Sequence, residues 1–365
     1  MSLNCGIIGL ASSGKTTIFN CLSKAKAQTS KYAFSSNKSN IGIIKVPDDR
    51  LILIDNLIHS AKIVHATIEI IDIPGLSKSS NTGEGIGNKF LSDIRNTDAL
   101  IHVLRCFENE SVPHIEGSID PVRDKEIVDF ELQIKDLESI YKKLVKLEKL
   151  TKIGDKDAKK AYEILLVYKE HLESMKPART VPLDETSRKY ASDLFLLTDK
   201  PVLYVCNVND DAAVIENNYV KKVKEAVKAE DTEVIVIAGV LESDIAELES
   251  EDDRNMFLKE IGLEEPAINK LIRSAYKLLN LRTFFTAGPK EVKAWTIKAG
   301  MTAPEAARTI HSDIERGFIR AEVMKFNDFI TLGSEQACKE AGKFYIEGKN
   351  YIVEDGDILH FRFNV

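Results

Sequence analysis

Gly9-Leu10-Ala11-Ser12-Ser13-Gly14-Lys15-Thr16 is the stretch that decides how this chain is read. It fits G-x-x-x-x-G-K-[ST] at every fixed position. Before it, Asn4-Cys5-Gly6-Ile7-Ile8 is a short apolar run that reads as a buried strand. After it, Thr17-Ile18-Phe19-Asn20-Cys21-Leu22 opens a helix. Strand, Gly-rich turn, helix is the context that makes this pattern a phosphate site. The glycines let the backbone curl so that successive N–H groups face one anion. Lys15 is expected to reach the β- and γ-phosphates, and the Thr16 hydroxyl to hold Mg²⁺. Residues 9–16 together with Thr17 are therefore the expected phosphate-binding set, and Lys15 is the first catalytic candidate. A Gly/Ser turn with a stray lysine is the competing reading, and the flanking strand and helix count against it.

The chain has 365 residues, enough for two or three domains. Hydrophobic residues make up 44% and charged residues 29%, as in a soluble globular protein. No apolar run approaches membrane-spanning length, and the N-terminus lacks the layout of a signal peptide. Cys5, Cys21, Cys106, Cys206 and Cys338 show no paired spacing, which points to a reduced, cytoplasmic setting. The net charge of −7 argues against general DNA coating but leaves room for a local basic face on RNA, and no specific DNA partner is expected.

Residues 23–45 read as a polar loop in which one hydroxyl has to reach the metal; Ser35 and Ser36 are the available donors. A solvated loop is the competing reading for either serine. Next, Ala66-Thr67-Ile68-Glu69-Ile70-Ile71-Asp72-Ile73-Pro74-Gly75 is a β-branched strand ending in D-x-x-G. Asp72 can hold Mg²⁺ as a Walker-B acid does, and Gly75 can offer its N–H to the γ-phosphate. Many GTPases place a water-orienting glutamine after this glycine. Here Leu76 stands there, and it can neither donate nor accept a hydrogen bond. Gly83, Gly85 and Gly87 suit a switch loop. In the apolar run Leu100–Phe107, His102 reads as a satisfied core histidine. His114 follows Pro113 in a polar loop beyond the strand's C-terminal end, the edge where ligands sit in open α/β sheets.

From about Lys125 to Lys189 the composition turns to Glu, Lys and Leu. Leu137, Ile140, Leu144 and Leu147, then Ala158, Ala161, Leu165, Tyr168, Leu172 and Met175, keep a 3-4 spacing. This predicts an antiparallel helical coiled-coil arm with its tip at Lys152-Ile153-Gly154-Asp155. The sheet resumes at Pro201–Cys206 and ends in Asn207-Val208-Asn209-Asp210. Asn207 is expected to tether the loops and Asp210 to face the base. A carboxylate only accepts hydrogen bonds, so Asp210 permits guanine. Val208 stands where a lysine is usual in such a motif. After Thr283, short strands separated by turns and one helix over 303–315 read as a compact α+β module. Arg320, Lys339, Lys343, Lys349 and Arg362 are either a basic RNA face or an ordinary solvated surface.

Over its whole length the chain resembles the YchF / Obg-like ATPase family, a branch of the Obg-related P-loop NTPases. The resemblance rests on Asp72-Ile73-Pro74-Gly75-Leu76, Gly83-Glu84-Gly85-Ile86-Gly87-Asn88-Lys89-Phe90-Leu91, Val103–Glu108 and Ile119-Asp120-Pro121. It continues at Gly288-Pro289-Lys290-Glu291-Val292, Ala294-Trp295-Thr296, Gly317–Val323 and His360-Phe361-Arg362-Phe363. The resemblance implies a P-loop nucleotide domain (1–124 and 196–281), an inserted arm (125–195) and a C-terminal TGS domain of β-grasp type (282–365). It implies a cytoplasmic Mg²⁺-dependent ATPase that binds the ribosome, expected on the large subunit, with an RNA contact through the arm or the TGS domain. It also implies that Ser36 matches the switch threonine and that His114 takes over positioning of the attacking water. This chain departs from the family's G-x-P-N-V-G-K-S at Ala11, Ser12, Ser13 and Thr16, and from N-x-x-E at Asp210. The reading is therefore a ribosome-linked ATPase switch. Its rivals are a GTP-preferring enzyme of the same fold and a nucleotide-gated RNA-binding adaptor.

Overall fold

The computed structural model describes residues 3–24, 40–75, 86–248 and 250–364. Ser35, Ser36, Leu76, Gly83 and Gly85, on which expectations were placed, lie outside the described residues. The described chain forms two compact units, 1–42 with 69–270 and 43–68 with 271–365.

The first sheet is built from β1 (Asn4–Ile8), β2 (Asn40–Lys45), β4 (Thr67–Asp72), β5 (Ala99–Arg105), β6 (Val202–Asn207) and β7 (Val234–Ile237), in the order β2-β4-β1-β5-β6-β7. β3 (Ile63–Val64) belongs to the second sheet. Strands β1, β4, β5, β6 and β7 pair in parallel. β5 and β6 are buried along their whole length, as their unbroken apolar runs require when both faces are covered. Register puts Ile7 opposite Asp72 and Arg105 opposite Asn207. Both polar residues thereby arrive at the C-terminal edge, where the strand β1 passes into the Gly-rich turn and α1 (Lys15–Lys24).

The arm is the expected helix pair, α4 (Pro121–Lys152) and α5 (Lys156–Glu173). (Helices α2 and α3 span Asp49–Ile58 and Ile86–Arg95.) α4 starts earlier than the composition suggests, because Asp120 caps it through Val122 and Arg123 and Pro121 supplies the first turn. Ile140, Leu144 and Leu147 meet Ala158, Ala161, Leu165, Tyr168 and Leu172 in one buried seam. Met175 is not part of it. α5 ends at Glu173 ahead of Pro177, and Met175 turns outward with φ 60°.

The root of the arm is held by polar side chains. Lys125 Nζ reaches Asp129 at 2.6 Å and Glu230 at 2.8 Å. Glu230 also accepts from Arg179 and from Tyr204 Oη. Asp136, buried within α4, accepts from the N–H groups of Leu197 and Thr198 at 2.7 and 2.8 Å and from the Thr198 hydroxyl. These bonds fasten the chain returning from the arm to the helix that left the sheet.

The second sheet runs β11 (Phe344–Glu347), β10 (Phe318–Lys325), β12 (Asp357–Phe363), β8 (Leu281–Ala287), β9 (Val292–Lys298), β3. β12 and β8 are parallel, and the pairs β8/β9, β10/β11 and β10/β12 are antiparallel. Helix Ala303–Ile310 covers Phe284, Ala321 and Phe361. The single helix read over 303–315 is interrupted at His311, whose extended backbone caps a second short turn of helix. Residues 43–68, which the sequence reading left in the nucleotide domain, group with this unit. Arg50 explains much of that: it bonds Asp48 and Asp355 and lies 5.3 Å over the Phe285 ring, while β3 pairs with β9. No described helix is long and apolar enough to cross a membrane.

Asp136→Ala would leave two buried N–H groups and a hydroxyl without an acceptor. It is expected to lower stability by about 2–4 kcal/mol, read as an earlier urea midpoint with the far-ultraviolet spectrum unchanged at zero denaturant.

Candidate functional site

The turn after β1 curls as the pattern requires. Ser12 has φ 64° and Gly14 φ 95°. A Cβ on Gly14 would stand 2.0 Å from Asn207 Nδ2, so no larger residue fits without dislodging that amide. Asn207 is the expected tether. Its Nδ2 donates to the Ser13 carbonyl at 3.0 Å, and its Oδ1 accepts from Gly239 N–H at 3.1 Å. One buried carboxamide thus joins the end of β6, the Gly-rich turn and the loop after β7.

Within the turn, two observations mark an anion cradle. The first N–H groups of α1, at Lys15, Thr16 and Thr17, precede the first intrahelical bond, Ile18 N–H to Gly14 O. The Ser13 hydroxyl is buried with no hydrogen-bond partner among the described residues. A buried orphan hydroxyl among free helix-start amides suits phosphate oxygens. Gly9, Leu10 and Ala11 supply the ascending side of the turn.

Lys15 is the buried cation of the site. Its ammonium donates to the Leu10 carbonyl at 2.7 Å. Burial lowers its pKa to about 8, opposed by the charge of Asp72. Asp72 is raised above the usual carboxylate range by burial, with Lys15 and the Thr16 hydroxyl pulling the other way. Thr16 Oγ1 and Asp72 Oδ2 are 3.4 Å apart. A hydroxyl and a carboxylate side by side, next to an anion cradle, are the hard oxygen donors Mg²⁺ takes. Gly75 sits close by: a Cβ there would lie 2.5 Å from Lys15 Nζ.

At the end of β6, Val208 is buried and its N–H donates to Ile237 O at 2.9 Å. Asp210 opens a short 3₁₀ turn and is exposed. The register of Asn207 leaves the Asp210 carboxylate beyond the strand edge rather than in the core.

His114 is in a different place from the phosphate turn. Its side chain is 4% exposed, its Nε2 lies 2.7 Å from Asp124 Oδ2, and its Nδ1 accepts from Glu116 N–H at 3.1 Å. Glu116 N–H at Nδ1 fixes the tautomer, so Nε2–H donates to Asp124. Both ring nitrogens are spent on protein partners. The loop leading to it is stapled by the buried Arg105, which donates to the carbonyls of Phe107, Asn109 and Val112. Asp124 carried no signal in the sequence, since nothing in the spacing of 114 and 124 pairs them before the fold is known. His102 is a core histidine as read, but its Nε2 has no hydrogen-bond partner among the described residues; burial lowers its pKa to about 3, so it stays neutral.

Comparison with known proteins agrees with the fold. A family model described as a 50S ribosome-binding GTPase matches residues 4–166. A model named for the C-terminal part of YchF GTPases, and described as a protein of unknown function, matches residues 281–364. The chain is 47% identical to the ribosome-binding ATPase YchF of Bacillus subtilis and 44% identical to that of Escherichia coli O157:H7, each over the full length of both chains. It matches the solved structure of the Schizosaccharomyces pombe YchF GTPase with a TM-score of 0.89 and 32% identity, covering 99% of this chain and 98% of that one.

Lys15 is charged below about pH 8 and neutral above it in the nucleotide-free protein, whereas a bound triphosphate favours the charged form. Triphosphate affinity, measured by calorimetry, is expected to be flat from about pH 6.5 to 8 and to fall by up to about tenfold per unit above that. Gly14→Ala should abolish binding at every pH.

Proposed function

Because the chain belongs to the YchF family, we propose that it works as its relatives are named, as an ATPase that binds ribosomes. The observation that carries this reading is the join made by Asn207, which holds the phosphate turn open beside Lys15, Thr16 and Asp72. Lys15 and the N–H groups of residues 14–17 neutralise the β- and γ-phosphates, displacing the Leu10 carbonyl from the ammonium. Thr16, Asp72 and Ser36 would hold Mg²⁺, which would supply positive charge against the charge that develops on the phosphates.

His114 orients the attacking water after it leaves Asp124. In the docked state its donor is occupied, so hydrolysis waits on the loop that carries it. That gives a slow intrinsic turnover and a point at which a ribosome can act. The description of the matched model as 50S-binding supports the large subunit as the partner, and the setting is cytoplasmic. His114→Ala is expected to cut ATP turnover by about 10²- to 10⁴-fold, the range of a lost acid–base or water-orienting group, with nucleotide affinity unchanged. Unchanged turnover would remove the role.

One observation favours a second reading. The exposed Asp210 carboxylate can accept from guanine N1–H and N2–H₂, which adenine lacks. Calorimetric titration with ATP and with GTP decides between them. Comparable affinities, or tighter ATP binding, fit the ATPase; a preference for GTP above about 100-fold, two such hydrogen bonds, would favour a GTPase.

A further inference from the structure

The outer half of the arm carries a charge opposite in sign to that of the rest of the chain. Residues 142–160 hold eight lysines against Glu148, Asp155 and Asp157, a balance of +5 in a chain of −7. The other 346 residues therefore sum to −12. Lys143 is paired with Asp193, Lys152 with Glu148, and Lys160 lies over the Tyr190 ring. Lys142, Lys146, Lys149, Lys156 and Lys159 are exposed and have no ion-pair partner among the described residues.

Their placement follows from helix geometry. Lys142, Lys146 and Lys149 stand at i, i+4 and i+7 on α4, so they share one face. That face lies opposite the buried seam of Ile140, Leu144 and Leu147. Val145, 58% exposed, and Ile153, 79% exposed, continue the same outer side towards the tip. At 1.5 Å per residue the stripe from 142 to 152 is about 15 Å long.

The C-terminal candidates contrast with this. Arg320 and Arg362 both bond Glu322, Lys339 bonds Glu335, and Lys343 is 3.4 Å from Asp328. Four of the five basic residues named there are already neutralised by neighbours on their own unit. An exposed lysine without an acid beside it keeps its full attraction for a polyanion, whereas a paired one must first exchange partners.

We propose that the α4 face of the arm, Lys142, Lys146 and Lys149, is a docking surface for the phosphate backbone of folded RNA. This rests on the ribosome-binding reading above and assigns its RNA contact to the arm rather than to the C-terminal sheet. Lysines are point charges that hold phosphates without reading bases, so the contact is insensitive to sequence and sensitive to salt. The acidic remainder of the chain turns the basic tip towards the polyanion as it approaches.

The test uses the full chain carrying Lys142→Gln, Lys146→Gln and Lys149→Gln. Glutamine forms helix about as well as lysine, so the arm is kept. Binding to ribosomes from Bacillus subtilis and to their protein-free ribosomal RNA is measured across a KCl series. The expected result is weaker binding to both, with the slope of log affinity against log salt shallower by about 2, three phosphates at 0.7–0.9 each. ATP turnover without ribosomes stays as in the unaltered chain, and Lys339→Gln with Lys343→Gln changes neither affinity nor slope. Unchanged affinity and slope in the arm variant would overturn the proposal. So would a loss on ribosomes with binding to protein-free RNA intact, which would assign the arm to an acidic ribosomal protein. If the unaltered chain binds no ribosomes, the functional reading fails, and the free-RNA measurement decides the arm by itself.

Discussion

The side chain of Asn207 is the constraint on which the nucleotide site depends. It spans 194 residues of sequence to hold the Ser13 carbonyl and, with its other end, the N–H of Gly239. A buried carboxamide satisfied at both ends is stiff, because releasing either bond leaves a polar group without water. The turn it holds has to pass so close that position 14 tolerates no Cβ. Once this join is made, the helix-start amides, the orphan Ser13 hydroxyl and the Lys15 ammonium face one space. Parallel pairing of β1 with β4 then delivers Asp72 to the same edge.

Much of this was legible before any fold was known, because the P-loop pattern couples residue type to backbone shape. Gly14, Lys15, Thr16, Asp72 and Asn207 each have a chemical reason to stand where they do, and the structure brings them together. The arm was legible for a different reason: a 3-4 spacing of apolar residues has few other uses. Its lower end was misjudged by periodicity alone, since Met175 keeps the spacing after the helix has stopped.

The remainder was hidden because it consists of long-range partners. Nothing in the run 43–68 says that Arg50 will stack on Phe285 and bond Asp355. Nothing near His114 says that Asp124 will take its Nε2–H. The sequence places this histidine in a polar loop, which suggests freedom, whereas Arg105 and Asp124 hold it down. Net charge was similarly uninformative. A total of −7 conceals a basic outer half of the arm and a C-terminal sheet in which Arg320 and Arg362 are already paired. Which lysines are free depends on which acids fold beside them.

The central claim is that the amides starting α1 hold the triphosphate and that Asn207 keeps them in place. A crystal structure of the chain with Mg²⁺ and a non-hydrolysable ATP analogue tests it most directly. The account predicts β-phosphate oxygens at hydrogen-bond distance from the N–H groups of Gly14, Lys15 and Thr16. It also predicts Lys15 Nζ on phosphate instead of Leu10, with Asn207 still bonded to Ser13. A nucleotide bound elsewhere, or phosphates reached only after the Asn207 bonds have broken, would contradict it.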